Sequence, residues 1–268
     1  MSAGASPEAV SALEASARRV RQRIIGIAAT PEGCHLGGSL SSADILTVLY
    51  LSVLHFRPHE PHWAERDIFV LSKGHAAAAL YAVLAECGLL AERELETYGQ
   101  RGSRLAGHPL RGLPGVEFPT GSLGHGLSLG VGAALAARMD KRANRVFVLL
   151  GDGELQEGSV WEAAATASRQ RLDQLVAIVD HNRLQINGPV RIDGLADRWS
   201  AFGWGVREVD GHDVGALLTC LGTVPLQAER PSVVIARTVK GKGLAGYENR
   251  VKSHYVKLTA APPMRKAG

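Results

Sequence analysis

Cysteine is scarce in this chain. Three cysteines, Cys34, Cys87 and Cys220, stand far apart in 268 residues. Their odd number and spacing exclude a disulfide framework and any CxxC or Cys/His zinc pattern. Reduced thiols in a cytoplasmic protein are the simplest expectation. Aromatic residues make up only 5%, and none are interleaved with a basic stripe. Thirty Lys and Arg face 26 Asp and Glu, a net charge of +4 with the signs interspersed. That balance leaves no electrostatic footprint for nucleic acid. No apolar run approaches the length needed to span a membrane. The opening MSAGASPEAVSALEASARRV has no cationic n-region leading into an apolar h-region, so it does not read as a signal peptide.

What the chain has in quantity is small and aliphatic residues. Hydrophobic content is 46%, with 31 glycines, enough for one large α/β core with close helix-on-sheet packing. Ser6 and Pro7 are cap and first-turn signals for a helix over 7–29, after a small, polar tail expected to be disordered over residues 1 to about 7. A glycine-rich loop is expected over 33–39, a helix over 42–54, a strand over 67–72 and an alanine-rich helix over 76–86. A short helix follows over 92–98. Residues 101–119 form a long Gly- and Pro-rich loop, the kind that is usually functional inside a compact domain. A small-residue helix runs to Arg138. Strands are expected at 146–150, 175–179, 204–209 and 231–239, with helices between them. Strands alternating with helices predict a doubly wound, mainly parallel sheet flanked by helices. No internal repeat, low-complexity block or interdomain linker interrupts it.

Residues 151–187, GDGELQEGSVWEAAATASRQRLDQLVAIVDHNRLQIN, are the most informative stretch. Asp152 follows one buried strand and Asn182 follows the next, within a single βαβ unit. Adjacent parallel strands lie about 5 Å apart, so the two side chains can face one small cation. Both offer oxygen only, which suits Mg²⁺ or Ca²⁺. The glycines beside Asp152, Gly151 and Gly153, allow a bulky anion to approach the backbone. Ligands of open α/β sheets bind beyond the carboxyl ends of strands, where His75, Asp152, Asn182 and Lys240 all fall. Four of the ten histidines, His35, His75, His108 and His254, sit in loops expected at that edge. Histidine titrates near neutrality and can donate or accept protons there.

The sequence GDG, then E-G, W-E, D-x-N and I-N-G, resembles the diphosphate-and-metal motif of thiamine diphosphate (ThDP) enzymes, and most of all transketolases. The resemblance runs from about Val20 to Thr259 and covers the N-terminal, diphosphate-binding half of that enzyme. It implies a ThDP-binding domain over 8–259, with tails at 1–7 and 260–268, and a transferase of two-carbon ketol units from a ketose to an aldose. ThDP and Mg²⁺ (or Ca²⁺) are the implied cofactors. Asp152, Asn182 and the carbonyl of Leu184 correspond to the metal ligands. His75, Gly121, Ser122, Leu123, Gly153, Asn182 and His254 correspond to cofactor contacts. His35, His108 and His254 correspond to histidines around the donor substrate. Glu157 and Glu162 correspond to acidic residues at the subunit interface.

Three positions depart from the family pattern. Cys34 stands before the first histidine, where it is expected to narrow the donor end. His125 stands in the G-x-G loop, and His181 stands inside D-x-N. The acidic residue that activates ThDP, and the arginines that recognise sugar phosphates, belong to the family's pyrimidine-binding domain. No segment of this chain resembles that domain. The implied protein is therefore one half of a split transketolase, inactive alone. It would pair with a C-terminal pyrimidine-domain subunit, two copies of each chain making a heterotetramer. Sugars or sugar phosphates are the implied substrates, with no nucleic acid and no membrane. Two alternatives stay open at this point. One is a subunit of another ThDP enzyme, such as deoxyxylulose phosphate synthase or a 2-oxo acid dehydrogenase E1. The other is a non-catalytic assembly subunit.

Overall fold

Alternate residues of each central strand feed two separate cores. Phe69, Phe147, Leu149, Val176, Ile178 and Val234 join one, while Val70, Val146, Val148, Ala177, Val179 and Ile235 join the other. This period-two alternation with both faces apolar is what a parallel sheet covered on both sides requires. The structure, a computed structural model, describes residues 6–260. The expected disorder at residues 1–5 and 261–268 falls outside the described residues. Ser6 and Pro7 are not part of a tail: Ser6 Oγ caps the first helix by accepting from Ala9 N at 3.2 Å.

The chain begins with α1 (Pro7–Ala28), α2 (Leu36–Ser41) and α3 (Ala43–Val48). A wide π-type turn, Leu49–Val53, ends the third helix. Then come β1 (Ile68–Leu71), α4 (Ala77–Glu86), α5 (Gly126–Met139) and β2 (Val146–Gly151). Next are α6 (Gly158–Arg169), β3 (Leu175–His181) and a two-residue hairpin pair, β4 (Leu184–Gln185) and β5 (Gly188–Pro189). The last elements are α7 (Leu195–Ala201), β6 (Gly205–Asp210), α8 (Val214–Gly222) and β7 (Ser232–Arg237). The main sheet has the order β1-β2-β3-β7-β6, and every pairing in it is parallel. Helices α1 to α4 and α8 cover one face, and α5 to α7 cover the other.

Two elements differ from expectation. The glycine-rich loop expected over 33–39 turns into α2, with His35 at its N-cap. Leu36 and Leu40 are fully buried there, so tertiary packing offsets the poor helix propensity of Gly37 and Gly38. Contact demands glycine at Gly37, where a Cβ would lie 2.8 Å from Ser253 O, and leaves little room at Gly38, where it would lie 3.2 Å from His75 Nε2. The helix expected over 42–54 is divided into α3 and the π turn, where Leu54 N reaches Leu49 O at 2.8 Å.

Candidate functional site

The carboxyl ends of β1, β2, β3 and β7 open into a cavity of about 230 Å³. Register aligns Gly151 with Asp180 across β2 and β3, which carries Asp152 and Asn182 to the same rim. Asp152 is buried. Its Oδ1 accepts from Gly153 N at 2.8 Å, and its Oδ2 accepts from Arg183 N at 2.5 Å. Asn182 donates from Nδ2 to Asp180 Oδ2 (3.3 Å) and Ser41 Oγ (3.4 Å). The Asp180 carboxylate can only accept, so the amide orientation is settled; Oδ1 accepts from Leu184 N at 3.1 Å and keeps a second lone pair for a ligand. Leu184 lines the same cavity, and its carbonyl accepts from Lys240 Nζ at 3.0 Å.

Burial, followed by the neighbouring Asp180 charge, pushes the Asp152 pKa up to about 6. A carboxylate held this way gains from a cation beside it, and the oxygen set of Asp152, Asn182 and Leu184 fits a hard divalent ion. Among the described residues no group of three or more His, Cys, Asp or Glu is placed to hold a metal ion; this set is instead one carboxylate, one amide and one main-chain carbonyl.

Below that rim lies an ion pair. Lys73 is 1% exposed and Asp180 is fully buried. Lys73 Nζ bonds Asp180 Oδ2 and donates to Gly38 O and Ser42 Oγ, each at 3.0 Å. Asp180 also accepts from Ser41 Oγ at 2.6 Å and from Thr238 Oγ1. Burial alone would raise the Asp180 pKa; Lys73 and the hydroxyl donors outweigh it and hold it below its usual value. Neither residue was singled out in the sequence, because the motifs around them drew attention to His75 and Asn182 instead. The D-H-N triplet that placed Asn182 is the one signal that could have exposed Asp180.

The four histidines expected at the ligand edge do converge. The His35 ring lies 5.5 Å from His75, 5.7 Å from His108 and 5.3 Å from His254, centroid to centroid. His75 and His254 are 5.7 Å apart. They come from four segments: the N-cap of α2, the turn after β1, the 98–125 loop and the segment after β7. The loop is held by Tyr81 Oη, which donates to Ala106 O and His108 O at 3.0 and 3.1 Å. Burial lowers the pKa of His35 and His254 to about 4, aided for His35 by His108 and for His254 by Lys240. His75 is driven well below its usual value by burial and Lys73. These three rings are therefore neutral at pH 7. Lys240 Nζ faces His254 Nδ1 at 3.1 Å. The ammonium is the donor, which assigns the His254 proton to Nε2. His35 Nδ1 is buried without a partner.

Gly121 and Leu123 line the cavity with His75, Gly153 and His254, whereas Ser122 is exposed beside them. Gly121 has φ +153°, and a Cβ there would meet the His108 ring at 3.1 Å. Cys34 does not narrow the donor end. Its side chain is fully buried, its backbone pairs with Val256, and burial pushes its thiol up to about 12. His125 is exposed, and His181 Nδ1 stands 3.5 Å from Asp152 Oδ2. Glu157 and Glu162 are both exposed at the start of α6.

The sequence profile described as transketolase, thiamine diphosphate binding domain, matches residues 14–264. The chain belongs to the transketolase family. Among curated relatives of this transketolase-family chain, an apulose-4-phosphate transketolase subunit of Phocaeicola vulgatus is 41% identical over 94% of this chain and 91% of its own length. A 6-deoxy-6-sulfo-D-fructose transketolase subunit of a Clostridium species is 42% identical over 84% of each chain. Among solved structures, transketolase of Campylobacter jejuni superposes with a TM-score of 0.84 at 31% identity, over 94% of this chain and 41% of its own. A Pichia stipitis transketolase bound to sedoheptulose 7-phosphate gives 0.85 at 30% identity. This transketolase-family chain spans 39% of that Pichia protein, and it carries the thiamine diphosphate-binding domain of the family. Among the described residues no helix is long and apolar enough to cross a membrane.

Proposed function

We propose that this chain is the diphosphate-binding subunit of a two-chain, ThDP- and Mg²⁺-dependent transketolase that moves a two-carbon ketol unit from a ketose to an aldose. The observation that carries the reading is the convergence of His35, His75, His108 and His254 beside the oxygen set of Asp152, Asn182 and Leu184. When bound, ThDP supplies the nucleophilic carbon and the electron sink. This chain's residues bind and orient. Asp152, Asn182 Oδ1 and the Leu184 carbonyl hold the cation. His75 and Gly153 take the diphosphate, and Gly121, Ser122 and Leu123 contact the rings. Neutral His35, together with His108, hydrogen-bonds the donor's hydroxyls, and neutral His254 reaches both the diphosphate and the substrate. Keeping His35 and His254 uncharged lets them accept as well as donate protons.

The partner is a pyrimidine-domain subunit, and the working assembly has two copies of each chain. Relatives named as transketolase subunits match this chain over nearly their whole lengths. Exposed apolar side chains flank the cleft: Ile186 is 62% exposed, Tyr255 next to His254 is 53%, and Leu110 near His108 is 47%. A second chain would cover them, and Glu157 and Glu162 would join that interface. Sugars or sugar phosphates are the substrates, and the cytoplasm is the proposed compartment. The test is ketol transfer by the purified chain with ThDP, Mg²⁺ and a candidate pyrimidine-domain subunit. Activity in the mixture and none in either chain alone supports the proposal. A mixture that forms a complex, binds ThDP and still transfers no ketol unit from any sugar would overturn it.

A further inference from the structure

Glu154 is a buried carboxylate that the binding roles above do not use. It is 2% exposed, on the short 3₁₀ turn Gly153–Gln156 that follows β2. Its Oε1 accepts from Gly124 N at 2.9 Å and from Ser72 Oγ, and its Oε2 accepts from Gly151 N at 3.0 Å. Each donor belongs to a different wall of the cleft. Ser72 precedes Lys73 and His75. Gly124 closes the loop that carries Gly121 and Leu123. Gly151 leads into Asp152. Lys73 N donates to Leu149 O at 3.1 Å, joining the end of β1 to β2, and Thr120 Oγ1 donates to Leu71 O at 2.7 Å. Glu154 is one side chain that meets all three segments at once.

We infer that Glu154 is a positioning residue, whose carboxylate holds the His75, Gly121–Leu123 and Asp152 segments in the arrangement that receives the cofactor. The inference rests on the functional reading above. The chemistry requires a carboxylate at this position. Gly124 and Gly151 offer only backbone N–H donors, one to each oxygen, so both oxygens must accept. An amide of the same shape has one oxygen and one NH₂. Whichever way it turns, its NH₂ confronts a backbone N–H and leaves a buried donor without a partner. Ser72 can rotate its hydroxyl to accept, but the two backbone amides have no such freedom.

The test compares wild type with Glu154→Gln and Ser72→Ala in the full chain. Hydrogen exchange is measured first without cofactor. In Glu154→Gln the amides of Gly124 or Gly151 are expected to exchange at least tenfold faster, while Cys34 and Val256, paired on the other side of the site, keep their protection. Calorimetric titration with ThDP and Mg²⁺ follows, on the chain assembled with its partner. Cofactor Kd is expected to rise about tenfold or more in Glu154→Gln, with kcat at saturating cofactor near wild type. A merely structural role would instead lower protection throughout the chain. Wild-type exchange at both glycines, or faster exchange with unchanged Kd, would overturn the inference. Should Glu154→Gln fail to fold, Ser72→Ala decides. It keeps the carboxylate but frees one wall, so a rise of about threefold in Kd supports the inference and an unchanged Kd refutes it. Failure of wild type to bind ThDP would count against the proposed function, and the cofactor-free exchange data would still judge the tether.

Discussion

At the scale of single residues, the site separates ions from proton carriers. In the proposed function Asp152 and Asn182 supply oxygen ligands from neighbouring strand ends, so Asp152→Ala or Asn182→Ala should nearly abolish ThDP–Mg²⁺ binding. Outer-shell changes at metal sites typically weaken binding about 10- to 100-fold, and losing a ligand itself should exceed that. Calorimetric titration of the assembled variants measures it, and wild-type affinity in either would sink the metal assignment. His35→Ala and His108→Ala should leave cofactor affinity near wild type and slow ketol transfer by about 10²- to 10⁴-fold. Steady-state kinetics beside the same titration separates the two effects. His35 also makes a pH prediction. Its pKa falls from 6.5 to about 4 on folding, so between those values the unfolded chain binds more protons than the native one. Stability then rises with pH across that window and is lost as pH falls through it. The unfolding midpoint of wild type should fall relative to that of His35→Asn as pH drops from about 6.5 toward 4; parallel curves would refute the assigned shift.

At the scale of elements, the parallel strands exist to deliver their carboxyl ends to one rim, and the Lys73–Asp180 pair joins the ends of β1 and β3 beneath it. Removing one partner leaves a buried charge uncompensated, at a cost of about 3–5 kcal/mol. Lys73→Met should therefore lower stability by that amount in denaturant melts, and it should also loosen Asn182, which leans on Asp180. A loss below about 1 kcal/mol would mean that water reaches Asp180 once Lys73 is gone. The element least legible in advance was α2. Gly37 and Gly38 signal a loop by propensity, yet Leu36 and Leu40 bury on either side and His75 needs the space that a Cβ would take. Local preference of roughly 1 kcal/mol per glycine yields to packing of that kind.

At the scale of the whole molecule, the cleft is open on the side where Ile186, Tyr255 and Leu110 stand exposed. A chain with this surface is expected to associate. Mass measurements in solution should detect a larger assembly once a pyrimidine-domain subunit is added, with ketol transfer appearing in step. Full turnover by the isolated chain at concentrations where no partner is detectable would refute the split-enzyme proposal.

The alternation of apolar strands with helices was enough to specify a parallel α/β sheet, since strands buried on both faces leave few other ways to satisfy their backbone. The motif from Gly151 to Asn182 likewise placed Asp152 and Asn182 at one rim, because β2 and β3 of that βαβ unit pair directly. The histidines were legible only as four separate loops. Their meeting depends on the α2 turn, the Tyr81 bonds to the 98–125 loop and the return of the segment after β7. Asp180 showed only as the first residue of D-x-N, and Lys73 and Glu154 were not singled out. Their importance comes from burial, which strengthens each charge's bonds and forbids leaving any unmet, and burial is decided by the tertiary structure.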